Sequence, residues 1–129
     1  MEVNLENLAF NFRSISGFLD KGCSLMAVVK ANGYGLGARR VAKVFQEAGC
    51  QRFAVATPDE AVELRENGIS EPLLVMGPSP QDAAEVFVAM DITAACTDLS
   101  FAEAMSRAAV TQGKTARLHL KVDTGMGRI

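Results

Sequence analysis

Two stretches of this sequence gather side chains able to do chemistry. The first, residues 25–37, reads L-M-A-V-V-K-A-N-G-Y-G-L-G and puts a single amine, Lys30, directly after an apolar run. An amine that acts as a nucleophile or base near neutral pH must be brought down from about 10.4 by burial or by neighbouring cations. Apolar walls before Lys30 and a second positive group nearby would supply both. The second stretch, residues 116–128, reads A-R-L-H-L-K-V-D-T-G-M-G-R. In a strand its Leu118, Leu120 and Val122 share one face, while His119, Lys121 and Asp123 share the other. Asp123, Thr124, Gly125 and Gly127 then form a tight turn that would aim Arg128 back over the strand's carboxyl end. Each group also has a plain structural reading. Lys30 can simply close a strand, Lys121 and Asp123 can form an ion pair, and Arg128 can be a solvated loop cation. His119 lies earlier in its strand than the chemical edge and is expected to be a hydrogen-bonded core histidine. The glycines after Lys30 are spaced G-x-G-x-G rather than G-x-G-x-x-G, and no G-K-[ST] phosphate loop is present, so nucleotide binding is weakly supported.

The elements that must hold these groups alternate in type. Residues 25–29 form a short apolar run rich in β-branched side chains, read as a strand buried on both faces with Lys30 at its end. Asn32-Gly33 and the glycines at 33, 35 and 37 predict a supple loop before a helix that begins near Ala38. Before this strand, Asn4 caps a helix with Leu5, Leu8, Phe12, Ile15 and Leu19 on one stripe, ended by Lys21-Gly22. After it, helix 38–48 turns Val41, Val44, Phe45 and Ala48 inward and stops at Gly49. Residues 53–56 form a second strand. Thr57-Pro58-Asp59-Glu60 then combines a capping residue, a proline at the first helical position and a glutamate three residues after the cap. That helix runs to Asn67-Gly68. Strand 72–76 follows, and Ser79-Pro80-Gln81-Asp82 repeats the proline-led start for a helix to about Met90. Strand 91–96, a helix over 98–111 with Leu99, Ala102, Met105 and Ala109 on one side, and strand 116–122 complete the series. Strands separated by helical stretches of this length predict an α/β fold of parallel βα repeats joined by right-handed crossovers. Ligands gather outside the carboxyl ends of such strands, where Lys30 and Arg128 both lie.

Composition narrows the function classes. With 129 residues, 49% of them hydrophobic, the chain amounts to one domain able to bury a core. A net charge of −2 argues against a nucleic-acid partner, which needs a clustered basic face. Cys23, Cys50 and Cys96 are too scattered for a metal site or disulfide framework and are expected to be reduced, buried thiols of a cytoplasmic protein. No apolar stretch approaches the ~18 residues of a membrane span, and the start carries no secretion signal, so no membrane partner is expected.

V-V-K-A-N-G-Y-G-L-G and H-L-K-V-D-T-G-M-G-R-I resemble the pyridoxal-phosphate site and the substrate-side motif of bacterial alanine racemases, the fold type III pyridoxal enzymes. The likeness continues through F-A-V-A-T-P-D-E-A-V-E-L-R-E-N-G-I and L-L-V-M-G and covers nearly the whole chain in register. It implies a (β/α)8 barrel that binds pyridoxal 5'-phosphate and interconverts L- and D-alanine in a homodimer. Lys30 would carry the cofactor as a Schiff base and serve as one of two racemisation bases. Tyr34 would reach the cofactor phosphate, and Arg128 would lie near the cofactor's phenolic oxygen and the substrate carboxylate. Lys121 would be the lysine that is carbamylated in this family. Gly33 and Leu36 stand where the family usually has Ala and His, changes that loosen the loop without removing a reactive group. A barrel needs roughly 250 residues and eight strands, so the chain is expected to be the N-terminal part of the barrel domain. The later strands, the C-terminal β domain and the second base, a tyrosine of the neighbouring subunit, would lie outside it. Alone it is expected to be inactive, and either to self-associate along its unpaired edges or to close into a flavodoxin-like arrangement. A broader-specificity racemase, a regulatory pyridoxal-phosphate-binding barrel and a non-catalytic structural fragment are the alternatives.

Overall fold

The strands of the sheet follow one another in chain order, β1-β2-β3-β4-β5, and every neighbouring pair is parallel. The computed structural model describes residues 2–129. Its strands are β1 (Ala27–Val28), β2 (Phe53–Val55), β3 (Leu73–Val75), β4 (Thr93–Cys96) and β5 (Leu118–Leu120). Helix α1 (Leu5–Ser16) precedes β1. The short segment α2 (Lys30–Tyr34) and helix α3 (Ala38–Glu47) link β1 to β2, α4 (Pro58–Glu66) links β2 to β3, a 3-10 turn (Gln81–Ala83) and α5 (Ala84–Ala89) link β3 to β4, and α6 (Leu99–Gln112) links β4 to β5. The α/β repeat expected from the sequence is therefore present. An order without interleaving is that of a barrel wall, and it removes the flavodoxin-like alternative, whose strand order is permuted.

Register divides the sheet into two unlike faces. Phe53, Val55, Leu73, Val75, Ala94 and Cys96 are buried in one continuous core with the inner sides of α3 to α6. On the other face, Val28, Ala54, Leu74 and Thr93 form a row across β1 to β4, and His119 pairs with Ala95 beside it. Ala54 and Ala95 are buried yet lie outside that core cluster, as residues of the opposite face must. This second face has no cover among the described residues. For that reason β1 is not buried on both sides as expected: Val29 is 1% exposed but Val28 is 36% exposed. On edge strand β5, His119 is exposed on this open face rather than a core histidine, whereas Leu120, beside Cys96 on the helix face, is 80% exposed because among the described residues no helix covers the outer edge of the sheet.

Local signals explain where helices start, and several expectations fail. Asn4 caps α1 through the Asn7 N–H, Thr57 and Glu60 form the full capping box of α4 with Pro58 in its first turn, and Asp98 caps α6 through the Phe101 N–H. Helix α1 stops at Ser16 rather than near Lys21: the Phe18 and Leu19 N–H groups turn to the carbonyls three residues back, Ile15 and Ser16, and tighten the last turn out of the α-helical pattern. Phe12 still packs against Phe45, ring centroids 5.5 Å apart, whereas Ile15 and Leu19 are exposed. Ser79 caps nothing. Pro80 is itself extended at the cap position, so a 3-10 turn precedes α5. The inner face of α6 is Phe101, Ala104, Met105, Ala108 and Ala109, and Leu99 is exposed. Cys50 and Cys96 are buried, but Cys23 is exposed, contrary to expectation. Among the described residues no helix is long and apolar enough to cross a membrane.

One side chain ties the amino-terminal ends of β3 and β4 together. Arg65, half-buried on α4, donates from Nε to the Met90 carbonyl at 2.9 Å, from Nη1 to Ile69 at 2.6 Å and Glu71 at 2.8 Å, and from Nη2 to Asp91 at 2.8 Å. Burial lowers its pKa, and the nearby Asp91 and Glu71 carboxylates oppose that shift.

Candidate functional site

Chemistry-bearing residues meet the sheet at its carboxyl ends. Lys30 follows β1, and its backbone is approached by a ladder that runs one residue past the strand, where the Val29 N–H donates to Ala54 at 2.9 Å. Lys121 follows β5 in the same way, its N–H donating to Cys96 at 2.9 Å. Alternation from Val28 and from His119 assigns Lys30 and Lys121 to the face away from the helices. They end the first and last strands of the sheet, four strand spacings apart, or roughly 19 Å along it. Lys30 is half-buried, whereas Lys121 and Arg128 are exposed. Lys121 Nζ reaches the Val122 carbonyl at 3.5 Å.

The loop after Lys30 is not supple. Ala31 (φ 52°, ψ 51°), Asn32 (φ 52°, ψ 45°) and Gly33 (φ 63°, ψ 40°) are all left-handed, and Tyr34 follows with φ 56°. Isolated residues visit this region; a run that includes three residues with a Cβ costs energy and requires outside support. The Gly33 N–H donates to Val29 and the Gly37 N–H to Asn32, each at 2.9 Å, while Asn32 Oδ1 accepts from the Ala38 N–H at 2.9 Å and caps α3. Gly33 lies so close to α3 that a Cβ there would stand 3.2 Å from the Ala38 backbone. Glu60 supports the other end: one carboxylate oxygen accepts from the Ala31 N–H and the other from the Ala56 N–H at 2.8 Å. Tyr34 leaves the turn 63% exposed.

The same end of the sheet requires a glycine at 77, where a Cβ would come within 2.5 Å of the Ala56 carbonyl oxygen. Sequence reasoning found the capping role of Glu60 but missed its reach to Ala31, and it singled out neither Arg65 nor Gly77. The capping box was the available signal for Glu60. Nothing local announced the partner 29 residues away.

At the far edge, Asp123 organises the turn before Arg128. Its carboxylate accepts from the Gly127 N–H at 3.0 Å and the Gly125 N–H at 2.9 Å. These bonds, Gly127 first, hold the carboxyl below the usual carboxylate range, and the Lys121 ammonium acts in the same direction. A depressed pKa means that the turn's order is complete above the unfolded value of about 3.9 and is lost as pH falls through the folded one. Acidification is thus expected to move the Gly125 and Gly127 amide resonances together towards random-coil positions, and Asp123→Asn to weaken both bonds at neutral pH. Amide shifts in that variant identical to those of the unaltered chain would contradict the assignment.

His119 stands apart from this end. It lines a hollow of about 580 Å³ at the amino-terminal ends of β2 to β5 with Arg52, Asp91 and Arg117, where Arg117 pairs with Asp91 at 2.7 Å. Among the described residues no group of His, Cys, Asp and Glu is arranged to hold a metal ion.

Residues 3–129 match the family described as alanine racemase, N-terminal domain. An alanine racemase of Caldanaerobacter subterraneus subsp. tengcongensis is 44% identical over 129 residues, which is all of this chain and 33% of that protein. The structure of an alanine racemase from Clostridium difficile superposes with a TM-score of 0.94 at 38% identity, over 98% of this chain and 33% of the other. A histidine racemase from Leuconostoc mesenteroides superposes with a TM-score of 0.86 at 30% identity, over 97% and 33%. The chain thus spans about one third of the length of the relatives it matches.

Proposed function

The chain belongs to the alanine racemase N-terminal domain family, and on that premise we propose that it carries one half of a pyridoxal-phosphate-dependent amino-acid racemase site, with alanine as substrate. The observation that carries this reading is Lys30: an amine at the carboxyl end of a barrel-type strand, on the helix-free face, followed by a braced left-handed turn. The donor set suits the cofactor. An amine can hold an aldehyde, and a phenol and a guanidinium can satisfy anionic oxygens. Tyr34 and Arg128 are exposed and have room to do so.

Bound pyridoxal phosphate supplies an electron sink that makes an amino acid's α-proton removable. Lys30 holds the group and moves that proton on one face of the substrate. Tyr34 takes a phosphate oxygen, and Arg128 grips the substrate carboxylate with a bidentate fork that a lysine could not present. In an eight-stranded barrel, strands one and five stand across the lumen from each other, so the distance along the sheet between Lys30 and Lys121 becomes a distance across the mouth. The Lys121 ammonium becomes a carbamate by adding carbon dioxide at its nitrogen and releasing two protons to water. This exchanges its pull on Asp123 for an anion able to hold Arg128. Proton return to the opposite face falls to a tyrosine of the neighbouring subunit, and the remaining strands and the C-terminal β domain complete a cytoplasmic homodimer.

Incubation of the chain with pyridoxal phosphate, borohydride reduction and peptide mapping is expected to mark Lys30; absence of that adduct would leave only a structural role. The likeness to a histidine racemase favours a second reading, a racemase of broader specificity, because this part of the fold, about one third of each protein's length, is common to both. Activity assays of the full-length protein with alanine and histidine separate the two. By itself the chain is expected to associate along β1 and β5, whose edges are unpaired and, at Leu120 and Val122, apolar. Sedimentation showing a compact monomer at every concentration would refute this.

A further inference from the structure

Lys30 is held by its two chain neighbours. On one side, Val29 is locked into the sheet by its N–H bond to Ala54 at 2.9 Å. On the other, the Ala31 N–H is accepted by Glu60, a residue from the next βα unit. Between them the chain passes from Val29, at φ −120° and ψ 25°, to left-handed backbone at Ala31, a conformation that persists only where the surroundings over-determine it. Helix capping accounts for the bond between the Thr57 N–H and Glu60 at 3.3 Å, but it gives no reason for the carboxylate to reach Ala31.

We infer that Glu60 is a positioning residue, which sets the direction in which the Lys30 amine is presented at the mouth of the sheet. Its purpose rests on the racemase reading; its geometry does not. The chemistry of the position explains why a carboxylate occupies it. The N–H groups of Ala31, Ala56 and Thr57 converge on two oxygens, and an ionised carboxylate meets them with acceptors alone. A glutamine has nearly the same shape but turns an NH2 towards one of these donors. Glu60→Gln therefore keeps its one oxygen on the two N–H groups of Ala56 and Thr57 and turns its NH2 towards the Ala31 N–H, which is left unpartnered. The strained turn then relaxes and the Lys30 amine loses its fixed direction.

The test uses the purified chain without cofactor. Trinitrobenzenesulfonate labels lysine amines, and peptide mass spectrometry reads the rate at Lys30, with exposed Lys21 as an internal reference, from neutral to alkaline pH. Glu60→Gln is expected to change the Lys30 rate by about threefold to tenfold, the weight of an ordinary hydrogen bond at an exposed residue where water replaces part of the charge-assisted one, and to displace its pH profile while Lys21 is unaffected. Thr57→Ala removes the other half of the capping box and leaves the Ala31 bond, so it is expected to leave the Lys30 profile in place. Equal changes in the two variants, or none in Glu60→Gln, would overturn the inference. If Glu60→Gln does not fold, hydrogen exchange in the unaltered chain decides the matter. The Ala31 amide, on an exposed residue, is slowed if Glu60 holds it, and exchange at the rate of an unstructured peptide overturns the proposal. In a separate arm, pyridoxal phosphate and borohydride replace the reagent. Failure to mark Lys30 there counts against the racemase reading, while the trinitrophenylation contrast judges Glu60 independently.

Discussion

Replacing Lys30 with methionine in the full-length protein is expected to lower alanine racemisation by at least 10²–10⁴-fold, the usual contribution of a positioned proton-transfer group, with loss of the cofactor's anchor adding to it. Methionine keeps the length and apolar stem of the side chain, so the half-buried position is filled and the fold has no reason to change. An unaltered melting temperature should therefore accompany the loss. Added methylamine is expected to restore part of the rate, because it returns a free amine to a site whose shape is intact. Undiminished racemisation by Lys30→Met would remove the amine from the mechanism and with it the reading of residues 30–34 as a cofactor-binding turn.

Replacing Arg65 with methionine is expected to produce the largest loss of stability from a single polar side chain in this chain. Four backbone carbonyls, of Ile69, Glu71, Met90 and Asp91, take their side-chain partner from one guanidinium. Hydrogen bonds to charged groups contribute about 1.5–3 kcal/mol each, but the site is only half-buried and water can replace part of the loss, so a net cost of about 3 kcal/mol is expected. For a chain of this length that corresponds to a fall in melting temperature of roughly 10 °C. Arg65→Lys should recover little, since one ammonium cannot span carbonyls that a planar fork reaches from both sides. A shift of only a degree or two in Arg65→Met would show that the β3 and β4 loops hold themselves. Arg65 lies at the amino-terminal ends of the strands, so reactivity of Lys30 towards amine reagents should remain after this replacement wherever the variant is folded.

Signals confined to a few neighbouring residues were legible without coordinates. Thr57-Pro58-Asp59-Glu60 announced α4, Asp98 announced α6, and the apolar run before Lys30 announced a strand ending in an amine. The same reasoning failed where a rule depends on exact position or on a neighbour in space. Ser79-Pro80 carries the composition of a helix start, but Pro80 occupies the cap itself and leaves Ser79 outside the helix. Glycines at 33, 35 and 37 suggested looseness, yet the turn is tight, because Asn32 and Glu60 supply acceptors that no local pattern reveals.

What the sequence by itself determined is the parallel βα order, the carboxyl-end location of Lys30, Lys121 and Arg128, and the family. Hydrophobic period, caps and long motifs are properties of contiguous residues. Only the tertiary structure decided which sheet face is covered, that His119 is exposed on the open face rather than in the core, and that Glu60 and Arg65 brace backbone that is distant along the chain. Those outcomes follow from the pairing of β1 with β2 and of β3 with β4, which brings residues 31 and 60, or 65 and 91, within hydrogen-bond reach. Contacts at such separations are created by strand register, and register emerges only once the sheet has formed.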